Sequence, residues 1–279
     1  MNATASQDAI ATFHRLHESG SFVLPNPWDR GSAIYLHSLG YQALATSSAA
    51  FGFSCGVPDS IGAMPLGRVL AHCQDIVTAT PLPVNADFQH GYAVEPVGVA
   101  DNVALCVATG VAGLSIEDAT GNETQPLFER ELAVERIRAA RAAIDSTGHP
   151  VVLTARCEAW LVGDASPLQT ALGRLVAYAD AGADCLYAPG VSAPNDVEEI
   201  VTAVRPKPVN VLVGSSAMGL TVPKLADLGV RRISVGSALS RAAWGAFMRG
   251  AKGILEDGVF DGLDGAAPFP ELNDIFEQT

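Results

Sequence analysis

Pro81-Leu-Pro-Val-Asn-Ala-Asp-Phe-Gln-His-Gly-Tyr92 opens as an apolar run and ends in a polar loop carrying Asn85, Asp87, Gln89 and His90. A buried strand that releases a carboxylate and an imidazole at its C-terminal end is where α/β folds place chemistry, because loops from several strands converge there. The same pattern, an apolar run followed by charge, recurs at Glu117-Asp118 and at Arg156-Cys-Glu158. Three strand ends therefore point to one small-molecule site.

Outward from that stretch, strands are expected at 22–24, 41–46, 82–86, 111–116, 150–155, 185–188, 209–213 and 231–235. Helical spacing of apolar residues predicts helices at 7–19, 31–39, 64–79, 95–109, 126–146, 166–181, 194–204, 221–228 and 240–256. The strands are near-continuous apolar runs, as strands covered on both faces must be. Eight strands, each followed by a helix, predict one (β/α)8 TIM barrel over residues 1–279 with its site at the strands' C-terminal ends. A doubly wound open sheet is the alternative, but no GxGxxG turn is present. The tail, 257–279, is rich in Gly, Asp and Pro and is expected to lie over the barrel or a neighbouring subunit.

The chain has 48% hydrophobic residues and a formal charge of −13. The first suits a well-filled core, and the second argues against nucleic-acid binding, which needs a basic footprint. No secretory leader or membrane-length apolar run is evident, so a cytoplasmic protein with no membrane partner is expected. Five scattered cysteines without CxxC spacing fit a reduced compartment.

The predicted strand ends present Asn26 and Asp29, then Ser47 and Ser48 with Asp59 further along, then Asn85, Asp87 and His90, then Glu117 and Asp118, then Arg156 and Glu158. Asn210 lies inside the seventh strand. Asp59, Asp87 and Glu117 with the neutral amide of Asn85 suit an octahedral oxygen site for Mg2+ or Mn2+. Arg156 offers a planar fork for a substrate carboxylate or phosphonate. Plainer roles exist for each: ion pairs for the carboxylates, structural positions for Glu158 and Asp118, caps for Ser47 and Ser48, a solvated loop for His90. The only lysines, Lys207, Lys224 and Lys252, avoid the strand ends, which excludes a Schiff-base mechanism. Gly214-Ser-Ser216 and Gly236-Ser237 form a rival phosphate corner.

Ser47-Ser-Ala49, Gly56-Val-Pro-Asp-Ser60, Asn85-Ala-Asp87 with Gly91-Tyr92, Gly110-Val-Ala-Gly-Leu-Ser-Ile-Glu-Asp118 and Ala155-Arg-Cys-Glu-Ala159 together resemble the isocitrate lyase/phosphoenolpyruvate mutase superfamily, from about Phe13 to about Gly258. The resemblance implies a Mg2+-dependent barrel enzyme that makes or breaks a C–C or P–C bond beside an α-oxo acid, through an enolate stabilised by the metal. It implies that Asp59, Asn85, Asp87 and Glu117 surround the metal. It also implies that Ser47 and the amides of Ser48 and Ala49 hold the substrate carboxylate, with support from Arg156. A homodimer or homotetramer with a swapped last helix is implied as well. The chain departs from the family in having Asn85 where Asp is usual, and in Ala119-Thr-Gly-Asn-Glu-Thr-Gln125, which lacks the family's loop Lys and Cys.

The expected chemistry is cleavage or rearrangement of a C–C bond, in preference to P–C, beside a small α-oxo carboxylate. His90 is then the first candidate for moving the proton, followed by Glu123 or a water held by Glu117. The alternatives are a catalytically degenerate oxo-acid-binding barrel and a phosphate-binding barrel built on Gly214 and Gly236.

Overall fold

The computed structural model describes residues 3–277. Helix α1 (Ala3–Glu18) leads into β1 (Phe22–Leu24), α2 (Arg30–Ser38) and β2 (Leu44–Ala45). Two helices follow, α3 (Ser48–Ser54) and α4 (Leu66–Ala79). Strict alternation then runs through β3 (Val84–Asp87), α5 (Pro96–Ala108), β4 (Gly113–Glu117), α6 (Arg130–Thr147), β5 (Val152–Arg156), α7 (Pro167–Asp180), β6 (Cys185–Tyr187), α8 (Pro194–Ala203), β7 (Val209–Leu212), α9 (Val222–Asp227), β8 (Arg232–Ser234) and α10 (Ala238–Glu256). A last helix, α11 (Phe269–Glu277), lies in the tail. The two helices missing from the sequence reading are α3, whose small residues resemble a turn, and α11.

All strand pairs are parallel, in the order β1-β8-β7-β6-β5-β4-β3-β2. The ring closes between β1 and β2 through Ala45 N donating to Pro25 O at 3.0 Å. The buried amide of Asn26 reinforces this seam. Its Nδ2 donates to Thr46 O at 2.9 Å, and its Oδ1 accepts from Val235 N at 3.1 Å and Gly236 N at 2.8 Å. The expected (β/α)8 TIM barrel is the fold.

The barrel's N-terminal end is plugged by Phe13 of α1. Gly113 leaves it room, since a Cβ there would come within 2.6 Å of the Phe13 ring. The interior then becomes polar. Arg232, about 2% exposed, reaches from β8 to three other strands. Its Nε donates to Asn210 Oδ1 at 3.0 Å, Nη2 to Thr154 Oγ1 at 3.0 Å and Nη1 to Asn85 Oδ1 at 3.5 Å.

Helix α10 is different from the other barrel helices. Only Ser240 and Gly250 are buried in it, whereas Trp244, Phe247, Met248 and Leu255 are exposed. A short turn at Asp261–Leu263 packs Gly262 against Gly250. Helix α11 folds back over α2, with Phe276 facing Gly31. No helix among the described residues is long and apolar enough to cross a membrane.

Candidate active site

Arg156, at the end of β5, is the hub of the barrel mouth. Its Nη1 meets Asp87 Oδ1 at 2.7 Å, Nη2 meets Glu117 Oε2 at 3.2 Å, and Nε donates to Glu158 Oε1 at 2.9 Å. The guanidinium also lies 5.1 Å from the centre of the Tyr187 ring. Register explains the convergence: Arg156 pairs Glu117 on β4 and Tyr187 on β6, and Asp87 is one strand beyond on β3. Burial pushes Glu117 well above the usual carboxylate range, with Glu158 and Asp87 adding repulsion and Arg156 opposing it.

Asp87 is fixed on both oxygens, since Oδ2 accepts from Ser48 N at 2.8 Å. The amide expected to hold a substrate carboxylate is thus engaged by Asp87. Ser47 caps α3 by accepting from Ala50 N, and Ala49 lies in the first turn of that helix. Asp118 is structural: Oδ1 accepts from Glu158 N at 2.9 Å, and Oδ2 accepts from Tyr178 OH at 2.6 Å and Arg174 Nη1 at 3.2 Å.

Two small cavities adjoin Asp87, a central one of about 50 Å3 and a lateral one of about 20 Å3. The central one is lined by Asn26, Asn85, Arg156, Tyr187, Asn210 and Arg232, among others. The lateral one, under α3 and α4, is lined by Asp59, Phe51, Met64, His72, Gln89 and Tyr92, among others. Thr46, Ser47 and Asp87 line both. Of the expected site residues, Asp59, Asn85, Asp87, Arg156, Asn210, Ser47 and Ser48 thus border these spaces. Glu117 stands behind Arg156, outside both linings. His90 also lies outside both, held by Arg136, which donates to its carbonyl, and burial lowers its ring to about 4.

Sequence reasoning missed Arg232, His72, Gln89 and Tyr92 as wall residues. Arg232 begins its strand and His72 sits mid-helix, so neither occupies a strand's C-terminal end. Gln89 and Tyr92 were within the opening stretch, and both have left-handed backbone, φ 42° and 55°, which residue type does not reveal.

The donor set near Asp87 is all hard oxygen, which suits Mg2+. Among the described residues no three Asp, Glu, His or Cys side chains are close enough to ligate one ion together. Mg2+ commonly keeps several waters and binds through one or two carboxylates, so Asp87 with Asp59 at the rim fits that mode. Asn85 is turned toward Arg232 and the carbonyl of Ala86.

Residues 13–255 match the profile of the family described as phosphoenolpyruvate phosphomutase. An uncharacterized protein of Mycobacterium tuberculosis (strain H37Rv) is 33% identical over 267 residues, 94% of each chain. The oxaloacetate decarboxylase of Rhodopseudomonas palustris (strain HaA2) is 32% identical, covering 78% of this chain and 74% of its own. A crystal structure from Burkholderia cenocepacia J2315, described as a lyase/mutase, superposes with a TM-score of 0.93 at 42% identity, covering 98% of this chain and 97% of the other.

Proposed function

The chain belongs to the phosphoenolpyruvate phosphomutase family, within the isocitrate lyase/phosphoenolpyruvate mutase superfamily, and on that premise we propose that it is a Mg2+-dependent lyase cleaving a C–C bond beside a small α-oxo carboxylate. The observation that carries this reading is the Arg156 fork set among Asp87, Glu117 and Glu158 at the open end of the barrel. A relative described as an oxaloacetate decarboxylase supports the substrate class.

Asp87 and Asp59 would hold the ion, and bound there it would supply an electrophile for charge developing on the 2-oxo oxygen. The chain's own residues do the rest. Arg156 and Arg232 give the central cavity two guanidinium groups, and Arg232 has no carboxylate partner among the described residues. The three nitrogens of Arg156 are already engaged by Asp87, Glu117 and Glu158, so Arg232 is the group whose charge would draw a substrate carboxylate into that cavity and orient it before bond cleavage.

The rival phosphate corner is less well supported. Gly236 N already donates to Asn26 Oδ1 at 2.8 Å, and Ser215 Oγ caps its own turn.

The test is a panel of oxaloacetate, 2-methylisocitrate, isocitrate, phosphonopyruvate and phosphoenolpyruvate with Mg2+, followed by NMR for loss of each substrate and for its own products: pyruvate, glyoxylate with succinate, oxalate with acetate, or the rearranged phosphorus compound. Turnover of a C–C substrate that stops with EDTA and in Asp87→Ala is expected. Turnover indifferent to both would sink the proposal. Binding of oxo acids without turnover of any would favour a degenerate barrel.

A further inference from the structure

Cleaving a C–C bond beside an oxo group leaves an electron pair that must take up a proton. His90, the first candidate to supply it, lies outside both cavities. The walls of the central cavity offer the hydroxyls of Thr46, Ser47, Ser115 and Ser234 and the phenol of Tyr187. A phenol gives up its proton far more readily than a Ser or Thr hydroxyl. Asp87, the carboxylate on the same walls, is engaged on both oxygens.

Tyr187 ends β6 and pairs in register with Asn210 on β7, which pairs in turn with Arg232 on β8. A hydrogen-bond chain of fixed direction runs through these strands. Arg232 Nε can only donate, so the Asn210 atom that meets it at 3.0 Å is the carbonyl oxygen Oδ1. The amide nitrogen of Asn210 therefore faces Ser234 and donates to its Oγ at 3.0 Å. Ser234 then turns its own proton toward the phenol oxygen of Tyr187. The phenol proton is left free of Ser234, in a wall that Tyr187, Ser234, Asn210 and Arg232 all form. Tyr178, by contrast, spends its proton on Asp118 Oδ2 at 2.6 Å.

The surroundings suit a group that gives a proton away and recovers it. Burial raises Tyr187 to about 12, so the phenol is protonated at physiological pH, while Arg156 and Ser234 oppose the rise. The Arg156 guanidinium lies 5.1 Å from the ring centre, where its charge stabilises a phenolate once the proton has left.

We propose that Tyr187 is the proton donor to the enolate formed in the central cavity. The proposal rests on the oxo-acid lyase reading above. As the scissile C–C bond breaks, its electron pair stays on the oxo-acid fragment as the enolate. The Tyr187 O–H bond then breaks, its proton forms a C–H bond at C3, and the phenolate takes a proton back from water. When the leaving group is a carboxylate on C3, the products are CO2 and a shorter 2-oxo acid.

The test is exchange of the methyl protons of pyruvate in D2O, followed by NMR with the full chain and Mg2+, beside calorimetric titration with pyruvate. Exchange reads the proton transfer in both directions and needs no bond cleavage. The wild type should exchange these protons. Tyr187→Phe, which removes a single oxygen, should slow exchange about 100-fold. Its pyruvate affinity should stay within about threefold of the wild type, because the charge that holds the carboxylate is untouched. Ser234→Ala releases the phenol from its hydrogen bond and should slow exchange about tenfold, which keeps the test valid if Tyr187→Phe misfolds. Undiminished exchange in both variants overturns Tyr187 as the donor, and so does a wild type that binds pyruvate and leaves its methyl protons in place. Pyruvate binding in either case leaves the oxo-acid reading standing. No pyruvate binding by the wild type overturns both.

Discussion

Replacing Arg156 by Met removes one cation from three carboxylates at once. Asp87, Glu117 and Glu158 lie 2.7, 3.2 and 2.9 Å from its nitrogens. The side chains are 15%, 9% and 6% exposed and Arg156 itself 12%, so solvent screens these pairs poorly. Breaking a buried pair by removing one partner costs about 3–5 kcal/mol, because the remaining charge is left without compensation. The three contacts share one guanidinium and are not additive, so about 3–5 kcal/mol is expected for the whole cluster. That is a large share of a typical folding free energy of about 5–15 kcal/mol. Urea denaturation at neutral pH measures it. Arg156→Lys should lose less, because an ammonium can still meet one or two of the carboxylates but cannot reproduce the fork. Restoring balance with Glu158→Gln in the Met background should recover part of the loss. A loss below about 1 kcal/mol, the range of exposed pairs, would refute the view that this hub organises the barrel mouth.

Two further outcomes are expected. His17 and His72 are held neutral, at about 3 and about 4 against an ordinary 6.5, burial being the main cause in both. The unfolded chain therefore binds more protons below about pH 6.5, and each histidine should cost up to about 1.4 kcal/mol per pH unit as pH falls. Urea midpoints measured from about pH 7.5 to about pH 5 should decline, less steeply in His17→Gln, and a flat profile would refute this. The exposed face of α10 should be an oligomer contact: Phe247 is 64% and Met248 63% exposed. Covering the rest of Phe247 alone would contribute about 3 kcal/mol. Light scattering should show a dimer or tetramer that Phe247→Asp dissociates, and a monomeric wild type at micromolar concentration would count against the swapped-helix arrangement.

Much of the architecture was legible because it is written in local periodicity. Apolar runs between amphipathic segments predict eight buried strands and their helices whatever the rest of the chain does. The strand-end rule then places Asp87, Glu117 and Arg156 near one another, since parallel strands in a barrel expose their C-terminal ends on one side. Asn26 was singled out as a strand-end residue, but its use as the stitch between β1, β2 and β8 depends on three strands meeting.

Tertiary structure alone decided what those residues touch. Arg232 looks like an ordinary strand-opening residue, and only the closed ring turns it inward to Asn85, Thr154 and Asn210. Glu117 and Asp87 read alike as strand-end acids, yet packing sets one behind Arg156 and the other on both cavity walls. His72 belongs to a helix whose apolar spacing predicts core, and it becomes a cavity wall because α4 stacks it on Phe51. Period and residue type are properties of neighbours in sequence, so the chain by itself determines its elements and their order. Cavity walls and ion pairs join residues dozens of positions apart, and their geometry exists only once the barrel has closed.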